Sequence, residues 1–329
     1  MLRGFTRLAL MVGLSISPFA PSQSFAQSYP SRAVTIVVPL AAGTGMDMIA
    51  RGYGERLAST LGQPVIVENK PGGAFILATR SVIAAPADGH TLLVAAPVTL
   101  SINQTLFKKL PYDPEKDLVP ISIYGITPFI LVVNPSMPVR TVSEFVDYAR
   151  KQGAPLSYST PAGGGVPHYA VELFKQRSKL QFVHVPYKNS PQSIQDIAAG
   201  QVHFAFAEAG ASRPLIQAGK LRALAVSSKQ RLPALADVPT FAEASGMSDF
   251  EIVAWHSLVA RSGTPEAIVS RLNAEMKRIM SNADIQQRIS SMGLIPIDPP
   301  STLETERYIK SETARWREIL QAIGLAGSQ

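Results

Sequence analysis

"AVTIVVPLAAGTGMDMIA", residues 33–50, decides the fold. A β-branched run ends at Pro39, a turn follows with Gly43, Thr44 and Gly45, and the chain restarts at Asp47 with apolar residues at helical spacing. The run predicts a buried strand over 33–40. The spacing of Ile49, Tyr53 and Leu57 predicts a helix over 48–61. Gly supplies the backbone angles that such a turn needs. Asp47 reads as the helix N-cap, its carboxylate accepting the free N–H groups of the first turn. Nucleotide readings fail here. The third glycine of a dinucleotide fingerprint would fall at Met48, and no Gly-Lys-Ser/Thr follows. With no cationic side chain from 39 to 50, what remains is a helix N-terminus whose bare amides suit an anion.

Outward from this unit, strands alternate with helices. Strands are predicted at 64–69, 90–96, 156–160, 182–187, 202–207 and 221–228. Helices are predicted near 75–85, 101–108, 141–151, 166–177, 190–199 and 211–218. Such alternation argues for a parallel α/β sheet. Two long extended runs, 119–135 and 250–261, bracket a self-contained block, and three helical segments (265–281, 283–292, 301–322) close the chain. This pattern predicts two lobes joined by two crossing strands, with residues 29–124 plus 256–329 in one and 125–255 in the other. Hinge motion is the default expectation for that arrangement.

The second lobe repeats the opening theme in "LSYSTPAGGGVPHYAVELF", residues 156–174. Gly163, Gly164 and Gly165 make the turn, and Pro167 falls in the first helical turn, where its missing N–H does no harm. Each lobe thus offers a bare helix end at the carboxyl edge of its first strand, where open α/β sheets bind ligands. Two such ends facing across a cleft would hold a small anion between two sets of backbone amides.

Composition narrows the classes further. The 329 residues are 46% hydrophobic, enough to bury a large core and to exclude disorder. The formal charge of +7 is spread along the chain, without the basic cluster of a nucleic-acid binder. The chain has no cysteine, which excludes disulfides, thiolate catalysis, Cys-based zinc sites and a lipid anchor on an N-terminal Cys. The five histidines, at 90, 168, 184, 203 and 256, show no metal-ligand spacing, so neither metal nor cofactor is expected. Arg3 and Arg7, the apolar run from Leu8 to Ala20 and "SFA" at 24–26 form a secretory signal, with cleavage expected after Ala26.

Over essentially the whole mature chain the sequence resembles the Bug-type (Bordetella uptake gene) receptors of tripartite tricarboxylate transporters. The markers, in order, are "YPSRAVTIVVP", "GTGMD", "LGQPVIVENKPG", "PADGHTLLV", "LPYDPEKDLVPIS", "HYAVELF", "HVPYKNSPQSIQDIAAGQVHFAF", "GKLRALAVSS", "RLPALADVPTFAEASG" and "AWHSLVARSGTP". The resemblance implies an α/β, two-lobed periplasmic-binding-protein (Venus flytrap, type II-like) fold. It implies an exported monomer that captures a small carboxylate in the periplasm and delivers it to membrane permease subunits, without catalysis. It also implies that the carboxylate is held by the two glycine-rich turns, through backbone amides and small hydroxyls. The residues so marked are Gly43, Thr44, Gly45, Asp47, Gly163 and Gly165. Thr99, Thr160, His168 and Asn189 join them at strand ends and helix starts around the cleft, while Trp255 reads as hinge packing.

The chain departs from the family pattern at three places. Ala42 to Met46 replace a Pro-Gly-Gly-Gly turn, "GAFILAT" replaces a Gly- and Asn-containing run, and His203 and Ala207 stand where Asp is frequent. Met46 and Phe75 point toward a bulkier or aromatic acid. Two other functions compete with this reading. A periplasmic hydrolase lacks a G-x-S-x-G elbow, a paired-carboxylate motif and a metal cluster in this sequence. A ligand sensor docking to a signalling receptor would read the same in sequence as a transport receptor.

Overall fold

The β-branched run 34–38 is the inner strand of a parallel trio. In the computed structural model, which describes residues 29–161 and 165–329, β1 (Val34–Val38) lies between β2 (Val65–Asn69) and β3 (Thr91–Ala95). The signal sequence expected at 1–26 and the Gly163 turn residue lie outside the described residues. Helix α1 (Gly45–Leu61) follows β1, and α2 (Ile76–Ile83) follows β2. After β3 come a π-helical turn (Val98–Ile102) and the short helices α3 (Asn103–Leu106) and α4 (Pro114–Asp117).

The long run 119–135 is a single strand, β4 (Leu118–Val133), and it organises the molecule. Beyond it lie α5 (Val142–Lys151), β5 (Leu156–Pro161), α6 (Val166–Ser178), β6 (Phe182–Tyr187), α7 (Ser190–Ala198) and β7 (Phe204–Glu208). The chain continues through α8 (Ala209–Gln217), β8 (Arg222–Val226), α9 (Phe241–Ser245) and β9 (Val253–Arg261). It ends in α10 (Glu266–Met280), α11 (Ala283–Ser291), β10 (Ile295–Pro296) and α12 (Thr302–Ala322).

The sheet order is β2-β1-β3-β9-β4-β7-β5-β6, with β8 and β10 also on β4. The sheet is mixed, where the alternation had predicted a parallel one. The parallel sets are β2-β1-β3 and β6-β5-β7, and the crossing strands β9 and β4 join them by antiparallel pairing. The physical reason is that each crossing strand enters the other set at its carboxyl edge and so runs against its strands. Residues 118–128 of β4 pair with β9, and residues 129–133 pair with β7, so one strand serves both halves. Two register shifts against β9, at Pro120/Ser122 and Ile123/Gly125, accommodate its length.

Each half has apolar residues on both faces of its sheet. Leu57, Tyr53, Leu92, Leu258, Leu272 and Met276 are part of one core, and Val37, Leu93, Trp255 and Val259 of another. In the second half Phe145, Phe174, Phe182 and Phe204 form an aromatic cluster, in which Phe204 meets Phe145 and Phe182 edge to face and Phe182 lies tilted against Phe145 and Phe174. Each buried Phe of this kind contributes about 1.5–3 kcal/mol. Helix α12 belongs to both halves. Near its middle Glu312 accepts a hydrogen bond from the Trp255 indole at 3.1 Å, and further on Trp316 and Leu320 join the second-half core beside Tyr169. Gly210 at the start of α8 and Gly293 after α11 meet backbone to backbone, a second contact between the halves.

Candidate ligand-binding cleft

Strand directions bring the carboxyl ends of the two parallel sets face to face. β1 and β3 run the same way as β4, because both β3 and β4 are antiparallel to β9. β7 and β5 run against β4. The first set therefore points its carboxyl ends toward the second half, and the second set points its carboxyl ends back. The register fixes the spacing. Ala95 ends β3 level with Ile123 of β4, since both pair with Ser257, and Glu208 ends β7 level with Phe129. Six residues of strand separate those levels, roughly 20 Å, into which the loops and helix starts project.

On the first side, the α1 cap differs from the sequence reading. Thr44 is the N-cap, its hydroxyl accepting from the Asp47 amide at 3.4 Å and donating to the Ala41 carbonyl at 2.9 Å. Asp47 sits in the first turn instead and is buried. Its carboxylate accepts the Gly43 amide, the Arg51 Nε and the Asn69 side-chain amide at 2.9, 3.1 and 2.9 Å. Burial alone would raise its pKa, but Arg51, Gly43 and Asn69 together hold it below the ordinary carboxylate value. Asp47 is thus a brace for the turn. It consumes the Gly43 amide and leaves those of Gly45 and Met46 without an acceptor among the described residues. Gly43 needs its glycine, at φ +82°, whereas Gly45 has ordinary angles and open space where a Cβ would stand.

Thr99 lies on the π-helical turn, fully buried. Its hydroxyl has no partner among the described residues, while its carbonyl accepts the Tyr112 hydroxyl at 2.9 Å. The structure therefore puts Thr99 beneath the cleft surface. Met46 is buried in the first-half core. Phe75 is half-buried and packs against the cores of both halves. Ala74 and Phe75 both adopt the left-handed region, at φ 49° and 70°, which costs about 1–2 kcal/mol per non-glycine residue.

On the second side, Gly165 caps α6 at φ +69° and its carbonyl accepts the His168 amide at 3.0 Å. Strand alternation separates Ser159 from Thr160. Thr160 is fully buried, and its hydroxyl bonds His184 Nε2 at 2.6 Å. His168 joins the same cluster. Its Nδ1 is 2.9 Å from the Tyr158 hydroxyl, which donates to Glu172, and its ring lies 4.6 Å from that of His184. Burial, and then the neighbouring His184, push the His168 pKa down to about 4. Thr160 and His168 thus belong to one polar cluster with Tyr158, Glu172 and His184. Asn189 is exposed and caps α7 by accepting the Gln192 amide at 3.0 Å.

A cavity about large enough for one water lies beside the start of α6. Ser159, Pro161, Pro167, Ser190, Ser193 and Glu208 line part of it. Ser193 donates to Ser159 at 2.8 Å across it. None of these residues is assigned to the ligand site by sequence, although the period of two along 156–161 puts Ser159 on the face opposite Thr160. Glu208 is the cavity's ionisable group, and burial pushes its carboxyl above the ordinary carboxylate value.

Residues 49–325 match the family model described as tripartite tricarboxylate transporter family receptor. Among solved structures, the chain is similar to R. palustris Rpa4515 with adipate, at 33% identity and a TM-score of 0.83, covering 91% of this chain and 99% of that one. It is similar to MatC (Rpa3494) from Rhodopseudomonas palustris with bound malate, at 32% identity and a TM-score of 0.79, covering 89% and 100%. It is similar to the periplasmic binding protein BugD, at 28% identity and a TM-score of 0.80, covering 91% and 99%.

Proposed function

The chain belongs to the tripartite tricarboxylate transporter receptor family, and from that membership we propose that it is an exported periplasmic receptor which binds a small carboxylate between two lobes and hands it to the membrane subunits of such a transporter. The observation that supports this reading is the opposition of two helix starts, those of α1 and α6, across the middle of β4. A carboxylate between them would accept from the Gly45 and Met46 amides on one side and from the 162–165 turn on the other. Each charge-assisted bond is worth about 1.5–3 kcal/mol, and each helix end adds about 0.3–1 kcal/mol. Thr44 and Asp47 hold the first turn in shape. His168, Thr160 and Asn189 hold the second side, and Thr99 underlies the first. The adipate and malate bound by the two R. palustris proteins support a dicarboxylate-sized ligand.

The lobes are residues 29–124 with 256–329, and 125–255. They close about β4 and β9, with α12 spanning both. The protein acts as a monomer and returns its ligand chemically unchanged. A thermal-shift screen of mono-, di- and tricarboxylates identifies the ligand, and small-angle scattering with and without it tests closure. The expected result is a smaller radius of gyration at saturation. A ligand that stabilises the protein without changing that radius would reject closure, and chemical turnover of the ligand would reject the receptor reading.

A further inference from the structure

We propose that Glu208 selects a carboxylate ligand that also carries a cationic nitrogen, an amino acid or other amine-bearing acid, over a simple dicarboxylate of the same length. The proposal rests on the receptor reading above and narrows its substrate class.

Glu208 ends β7, level with Phe129 at the midpoint of the molecule, and lines the cavity with Ser159, Ser190 and Ser193. Ordinary structural duties do not use its side chain. It stands at the N-cap position of α8 but makes no side-chain cap bond, and only its backbone carbonyl is engaged, accepting the Ser212 hydroxyl at 2.9 Å. No Lys, Arg or His forms an ion pair with it among the described residues; Arg213, one turn along, donates instead to the Ser291 carbonyl. The cavity's other polar side chains include the hydroxyls of Ser159 and Ser193, which already bond each other.

An unpaired carboxylate in a site for anions is a sign problem. A dicarboxylate whose second charge approached Glu208 would meet a like charge, or would require Glu208 to stay protonated and so offer a single neutral hydrogen bond in place of an ion pair. A ligand nitrogen bearing N–H donors removes the conflict and supplies the missing counter-charge. The two ends of the cleft then read different groups. Bare helix amides take the carboxylate, and Glu208 takes the cation.

Calorimetric titration of the wild-type protein with length-matched pairs tests this directly. The probes are glutarate with 4-aminobutyrate, adipate with 5-aminopentanoate, and succinate with aspartate. The amine-bearing member of the best-fitting pair is expected to bind at least about tenfold more tightly. Glu208→Gln, which keeps the shape and removes the charge, is expected to abolish or reverse that order, and Glu208→Ala to do the same. Equal or tighter binding of the dicarboxylate by the wild type would overturn the proposal while leaving the receptor reading intact, and so would an order that Glu208→Gln leaves unchanged. Failure of every acid, these and the wider carboxylate series, to bind the wild type would overturn the receptor reading and this proposal with it.

Discussion

Gly210 and Gly293 touch with no room for a side chain between them. A Cβ on Gly210 would overlap the Met292 carbonyl oxygen, and one on Gly293 would overlap the Gly210 backbone. The contact joins the start of α8 in the second half to the segment before β10 in the first. Arg213, donating to the Ser291 carbonyl at 2.9 Å, fastens it from the side. Gly210→Ala is therefore expected to force backbone apart, at a cost of about 1–3 kcal/mol. Urea denaturation measures this. A midpoint equal to the wild type's would show that the two halves do not bear on each other there.

The brace at Asp47 makes a second expectation. In Asp47→Ala, the Gly43 amide, Arg51 and Asn69 all lose one acceptor. Stability should fall by about 1–3 kcal/mol, and affinity for the ligand should fall with it as the turn loosens. The pH dependence has a definite sign. Asp47 has a depressed folded pKa, so its contribution is present above its unfolded value of 3.8 and is lost as pH falls through the folded value. The variant should accordingly lose less stability than the wild type between pH 4 and 2. Parallel acid-unfolding curves for the two proteins would refute the brace.

Histidine burial acts in a higher window. His168 and His256 both have pKa values pushed down to about 4, by burial first in each case. His168 also stands in the first turn of α6, where the helix dipole opposes a cation. The unfolded chain takes up these protons below about pH 6.5, and the folded one does not until near pH 4. Stability should therefore be full above about pH 6.5 and fall toward pH 4, by up to roughly 1.4 kcal/mol per pH unit for each histidine. His168→Gln should flatten that slope in thermal melts recorded from pH 7 to pH 4. A slope as steep as the wild type's would place the effect elsewhere.

The strand and helix pattern was legible because its residues obey local rules. Val34 to Val38 are β-branched, Tyr169, Leu173 and Phe174 repeat at helical spacing, and Gly165 breaks the chain where α6 starts. The antiparallel crossing was not legible, since no local residue says which neighbour a strand will choose. The cap of α1 was misread because Asp and Thr both suit an N-cap, and the choice was made by Arg51 and Asn69, the latter far along the chain. The same holds at the second turn. Thr160 and His168 are polar residues at the right place in sequence, but His184 and Tyr158 claim them. Glu208 escaped notice because nothing around it in sequence marks the end of β7 as a cavity wall.

On the proposed function, bare amides at the start of α1 hold the ligand's carboxylate, and Gly45 is the cleanest place to test this. A Cβ there would meet nothing within 4 Å and requires no unusual backbone angle, so Gly45→Val is expected to leave the protein's own packing intact. The measurement is calorimetric titration of wild type and Gly45→Val with the tightest-binding acid of the panel and with its carboxamide. The wild type should bind the acid one to one and the amide far more weakly. Gly45→Val should melt within a degree or two of the wild type and lose at least about tenfold in affinity, the worth of one charge-assisted hydrogen bond. Undiminished affinity in Gly45→Val, or an amide that binds the wild type as tightly as the acid, would contradict the account.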